Sequence, residues 1–185
     1  MTIRAVLLAA VSIVSCIGCA NGMLPRSAIG PQSVDPILSI RQKYTAINKH
    51  QAKYRQVKKE LSGFSAEGGE LVAHFDGRSI MKIVATYYGE SGKAREEYYY
   101  SGGQLIFVFR KEFAYDKPLS GRVAGTREDR FYFNNDKLIK WSDENGRDVE
   151  PDKAEYFEKQ NEYRKSSTQF TAGSRSRKST IEAID

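Results

Sequence analysis

Two hydrophobic periods divide the chain. After Asp35-Pro36, residues Ile37, Ile40, Tyr44, Ile47, Gln51, Tyr54, Lys58 and Leu61 recur at alternating steps of three and four. That spacing draws one face of a helix, widened by Val57. Asp35 offers an N-cap acceptor, Pro36 suits the first helical position, and Gly63 suits the stop. One long helix is expected over 35–62. From Gly68 the period changes to two. Strands are expected at about 70–75, 80–88, 95–100, 104–115, 128–133 and 137–142. The turn-forming stretches Asp76-Gly77-Arg78-Ser79, Gly89–Lys93, Ser101-Gly102-Gly103 and Asn134-Asn135-Asp136 separate most of them. Residues 116–126 form the longest irregular loop. Pro151 then opens a short helix over 151–166, with Ala154, Tyr156, Phe157, Gln160 and Tyr163 on one face. Residues 167–185 are rich in Ser and Arg and are expected to be disordered. The pattern predicts an α+β domain over 35–166. A long N-terminal helix packs on an antiparallel six-stranded β-meander (68–143), followed by a short C-terminal helix.

The meander contains an internal repeat. Phe75-Asp-Gly-Arg-Ser-Ile80-Met81 aligns with Tyr100-Ser-Gly-Gly-Gln-Leu105-Ile106 and with Phe133-Asn-Asn-Asp-Lys-Leu138-Ile139. Each copy is an aromatic, four turn residues and two aliphatics. The physical reading is three hairpins, each stacking an aromatic before the turn on an aliphatic after it. These units, above all Glu97-Tyr98-Tyr99-Tyr100-Ser101-Gly102-Gly103-Gln104-Leu105-Ile106, resemble the aromatic-turn-Gly-x-Leu units of MORN-type repeat proteins and their secreted bacterial variants. The resemblance covers about residues 70–142 and implies an interaction scaffold rather than an enzyme.

The N-terminus changes the picture of where such a scaffold works. Met1-Thr2-Ile3-Arg4 is a short basic segment, Ala5–Val14 is apolar, and small residues follow. This predicts a secretory signal peptide over 1–20, too short for a permanent span. Ile13-Val14-Ser15-Cys16 resembles a bacterial lipobox, which implies lipidation of Cys16. Cys19 is the alternative, and cleavage after Ala20 would remove both cysteines. Residues 21–34 hold two prolines and two glycines without periodicity, as a linker does. The expectation is an exported lipoprotein, membrane-anchored on the periplasmic or extracellular side of the cell envelope.

Charge is spread unevenly. Residues 35–62 carry seven basic and two acidic side chains, whereas residues 63–150 carry thirteen basic and fifteen acidic. The basic helix suits an anionic membrane surface or envelope polymer. Nucleic acid is not expected, because an exported protein rarely meets it. No cysteine follows Cys19, so thiol chemistry is not expected in the domain. His50 and His74 show no metal-ligand spacing, and no cofactor motif occurs. Glu96 and Glu97 point to opposite faces of a strand and form no acid/base pair with one another. The remaining unusual feature is the aromatic cluster. Tyr98, Tyr99 and Tyr100 are the candidate binding residues if one sheet face stays open, because exposed rings stack on sugars, bases or peptides. The favoured function is a non-enzymatic interaction module acting through the sheet face on another envelope protein or polymer. The alternatives are an inhibitor that blocks a secreted enzyme with the 116–126 loop, and an exported hydrolase using His74.

Overall fold

The computed structural model describes residues 35–184. Helix α1 (Pro36–Lys49) begins where Asp35 caps it: the Ile37 N–H donates to Asp35 Oδ1 at 2.9 Å. A single 3-10 turn (Gln51–Lys53) follows. Seven strands then run as a meander: β1 (Arg55–Ser62), β2 (Gly69–Asp76), β3 (Ser79–Gly89), β4 (Gly92–Ser101), β5 (Gln104–Tyr115), β6 (Val123–Asn134) and β7 (Lys137–Ser142). Helix α2 (Ala154–Arg175) crosses back, and a three-residue strand β8 (Thr180–Glu182) closes the chain. The sheet order is β7-β6-β5-β4-β3-β2-β1-β8. Neighbours are antiparallel except β8, which pairs parallel with β1.

This corrects the expected fold of a long helix on a six-stranded meander. The expected helix over 35–62 stops at Lys49, and its last third is strand β1. In β1 the inward positions are Val57, Lys59 and Leu61. A lysine in the inward row hid the period of two. Lys59 is only 8% exposed because its ammonium reaches the end of α2, donating to the carbonyls of Ser176 (2.9 Å) and Lys178. The helix-favouring composition of this segment is overridden by tertiary pairing. The tail at 167–185 is corrected too. Helix α2 continues to Arg175, with Ser167, Phe170 and Ser174 buried beneath it. Its inner face alternates the aromatics Tyr156, Tyr163 and Phe170 with the small residues Ser167 and Ser174, and the last turns lie close to neighbouring chain. A Cβ placed on Gly173 would stand 2.5 Å from Ile181 Cδ1 of β8.

The helices divide the interior into two cores. Helix α2 covers one face, burying Leu61, Leu71, Ile83, Tyr98, Val108, Phe131, Tyr163 and Phe170 together with Ile181 of the edge strand β8. Helix α1 seats Ile40 and Ile47 on Tyr99, Ile106, Phe107 and Tyr132 of the other. The sequence repeat has a geometric counterpart. Phe75 pairs with Ile80, Tyr100 with Leu105 and Phe133 with Leu138, and each hairpin shifts register just before its aromatic. The residue skipped by each shift is Met81, Ile106 or Ile139. All three pack in the α1 core, whereas the paired residues sit in the α2 core.

Phe170, in the stretch expected to be disordered, is fully buried, and Phe157 on the same helix is 63% exposed. Phe170→Ala should lower unfolding free energy by about 3–5 kcal/mol, the range for truncating a buried aromatic. Phe157→Ala should change it by less than about 0.5 kcal/mol. Urea titrations of the two variants distinguish a packed tail from a dispensable one.

Candidate functional site

The three candidate tyrosines are not on a surface. Tyr98, Tyr99 and Tyr100 are 0%, 0% and 2% exposed. Strand β4 lies fourth from one end of the sheet, and its C-terminal half runs between α1 and α2, so both of its alternating rows are interior at Tyr98–Tyr100. Tyr98 and Tyr100 point toward α2, and Tyr99 points toward α1. Tyr98 stacks edge-on against Phe170, and Tyr100 Oη lies 3.1 Å from Ser167 Oγ. Their assignment as a binding site is therefore a correction: these rings pack the interior.

The tyrosine hydroxyls instead organise two carboxylates. The Tyr98 hydroxyl donates to Glu96 at 2.6 Å and that of Tyr87 at 3.0 Å, while the Arg110 guanidinium pairs with the same carboxylate from β5. On the opposite face, the Tyr99 hydroxyl donates to Glu97 at 2.5 Å. Lys82 and Arg95 each reach Glu97 at 2.8 Å. Lys82 also donates to Asn48 at 3.0 Å and Gln51 at 3.4 Å, which fastens the end of α1 and the 3-10 turn to β3. Burial pushes the Glu97 carboxyl up, but the bonds from Lys82 and Tyr99 and the charge of Arg95 outweigh it and hold it below its ordinary value. Burial pulls the Lys82 ammonium down despite Glu97.

His74 faces Lys82 across β2 and β3 and is 3% exposed. Its Nδ1 has no hydrogen-bond partner among the described residues. Neither does His74 bond a serine or carboxylate there, so the arrangement a hydrolase would need is not assembled. Among the described residues no three His, Cys, Asp or Glu side chains are grouped to hold a metal ion. Cys16 and Cys19 lie outside the described residues.

What remains accessible is the part of the α1-bearing face that the helix does not reach. Fourteen residues make a helix of about 21 Å. Eight strands make a sheet of about 34 Å across. Helix α1 and its core reach from β3 to β7 only near the hairpin turns of β2-β3, β4-β5 and β6-β7. Beyond it, Lys93 and Lys111 lie over the Phe113 ring at 5.1 and 5.5 Å, and Arg130 lies over Phe109 at 5.2 Å. Glu128 ties Lys111 and Arg130 together at 2.8 and 2.7 Å. Where the helix meets this surface there is a cavity of about 170 Å³, walled by Tyr44, Phe107, Phe109 and Tyr132 and flanked by Arg41 and Arg130. Arg41 lies 5.9 Å over the Tyr132 ring and has no ion-pair partner among the described residues. Sequence reasoning missed this surface, although the alternation Phe107, Phe109, Lys111, Phe113 against Thr126, Glu128, Arg130, Tyr132 carried its signal.

His74 makes a pH dependence testable. Burial, reinforced by the charge of Lys82, holds its pKa below the ordinary 6.5, against the opposing charge of Glu97. As pH falls, the unfolded chain takes up this proton first. The stability associated with neutral His74 is complete above 6.5 and is lost as pH falls toward the lower folded value. Urea midpoints should therefore drop from pH 7.5 to 5.5, and drop less in His74→Gln. An equal drop in both proteins would assign the effect to other groups.

Compared with protein-family models, with curated proteins and with solved structures, the chain matches none of them.

Proposed function

We propose that this chain is an exported, lipid-anchored, non-enzymatic protein of the cell envelope. Its domain is an interaction module that works through the α1-bearing face of its sheet. The partner is an envelope protein or polymer that presents anionic groups there. The observation that carries this reading is the uncovered, cation-bearing part of that face, where Lys93, Lys111 and Arg130 stand on aromatic rings. Cations on an aromatic base are held in place and partly desolvated, so they meet an anion at lower ordering cost than free lysines do. Arg41, Lys43 and Lys49 of α1 and Lys53 beside it add positive charge along the same face. The leader with Cys16 and Cys19 supports the anchor, and the hairpin-repeat resemblance supports a scaffold rather than a catalyst.

Two measurements test it. Intact mass of the mature protein should show an acylated N-terminal cysteine at position 16 or 19; a chain beginning at Asn21 would refute the anchor. A photo-crosslinking residue at Arg95, 45% exposed on the open face, should capture a partner in the native envelope. The same probe at Phe157 on α2 should not. Lys93→Glu combined with Lys111→Glu should reduce the Arg95 yield by about tenfold, equivalent to ~1.4 kcal/mol of binding. Equal capture from both positions would sink the assignment of the face.

A further inference from the structure

One loop breaks two local rules at a single residue. Between β5 and β6 the chain turns through Asp116-Lys117-Pro118-Leu119-Ser120-Gly121-Arg122. Leu119 has φ of 57°, in the left-handed region that a branched side chain disfavours. Its side chain is also 72% exposed, the most of any large hydrophobic among the described residues. Glycine would relieve the backbone and a polar residue would relieve the exposure. The leucine is nevertheless held firmly. Its N–H donates to the Glu90 carbonyl at 2.7 Å, and the Asp116 N–H donates to the Arg122 carbonyl at 3.0 Å. Ser120 Oγ and Arg122 Nε both donate to the Asp116 carboxylate at 2.6 Å. A leucine presented on a closed frame loses little freedom on docking, and strain of this kind persists where a site uses it.

Beside this knob lies a hollow. Gly89, Gly92, Ala114 and Gly125 align as one row across β3 to β6, so four adjacent strands carry almost no side chain there. The groove above that row has a volume of about 540 Å³, and the next row on the same face is Tyr87, Ala94, Glu112 and Arg127. A Cβ on Gly125 would meet nothing within 4 Å. The groove reaches Gly89 and Ser91, on either side of the Glu90 to which Leu119 is bonded. Knob and hollow therefore flank the same β3–β4 turn, yet Leu119 does not enter its own groove. Val123, 44% exposed and two residues before Gly125 on the same face of β6, extends the apolar rim.

We propose that this end of the sheet is a homodimer contact in which Leu119 of each copy enters the groove of the other. Because knob and hollow are neighbours, one two-fold axis between them satisfies both contacts together and closes the assembly at two. The charges around them are of both signs, Glu90 and Glu112 with Arg122 and Arg127, so a second copy does not meet a field of its own sign. This inference does not rest on the envelope partner proposed above.

Sedimentation velocity of the purified mature protein, in density-matched detergent at about 1–100 μM, tests it. The wild type should shift from monomer to dimer across that range. Leu119→Asp, which removes the knob, and Gly125→Leu, which fills the hollow, should each weaken association at least tenfold without changing the thermal midpoint appreciably. Leu119→Gly should also lose the dimer while relieving the backbone, which separates docking from folding. Mixing Leu119→Asp with Gly125→Leu should restore part of the dimer, because one intact knob then meets one intact hollow. A wild type that stays monomeric throughout overturns the proposal. So does a dimer that neither variant weakens, or a Leu119→Asp defect confined to binding of anionic vesicles.

Discussion

The fold depends on one sheet serving two cores. A regular hairpin pairs residues one to one and keeps each side chain on a fixed face. The three hairpins here depart from that at the same place. In each, the aromatic before the turn meets the first aliphatic after it on the α2 side, and the second aliphatic is skipped by the pairing and joins the α1 core. Met81, Ile106 and Ile139 therefore supply apolar surface beneath a helix with only two fully buried residues of its own, Ile40 and Ile47. Fourteen residues make a marginal helix in isolation. Its stability comes from that bulged row, and a bulge lost from one hairpin would remove part of its seat.

The polar groups fix what the apolar ones leave free. Adjacent carboxylates on β4 are sent to opposite faces, and each collects a tyrosine hydroxyl two residues on and a cation from a neighbouring strand. Burying such charges gains little net stability, because desolvation offsets the attraction. Their effect is on register. A slip of β3 against β4 would leave Lys82 without Glu97, and a slip of β5 would leave Glu96 without Arg110. The Lys82 ammonium extends the same constraint to Asn48 and Gln51, so the place where α1 ends is set by the centre of the sheet.

The meander strands were legible because a period of two returns in each stretch between turns from Gly68 to Ser142, and the repeat was legible because its aromatic and aliphatic positions recur at fixed offsets from the turns. Strand β1 was not, because Lys59 stands at an inward position and its reason for being there, the carbonyls at the end of α2, lies more than a hundred residues away. The packed tail was not, because close approach of a helix calls for Ser167, Gly173 and Ser174, the small residues that also mark disorder. The tyrosine triplet reads as a possible surface whenever one face of β4 is taken to be open. That assumption fails once α2 extends past 166 and β1 and β8 widen the sheet. The candidate surface lies in the same alternation that marks β5 and β6 as strands, with rings and charges sharing one row.

The position of α1 gives the proposed anchor a consequence for orientation. Asp35, its cap, is the first described residue after the linker, so a chain held by an acylated cysteine reaches the domain through α1. The element nearest the tether thus lies on the same face as Lys93, Lys111 and Arg130. Tethering raises the effective concentration of whatever surface lies near the tether against the membrane and its neighbours. A basic face placed there needs only modest intrinsic affinity for an anionic partner. That accords with what this face offers: cations already shared with Glu97 and Glu128, held over rings, rather than a deep pocket.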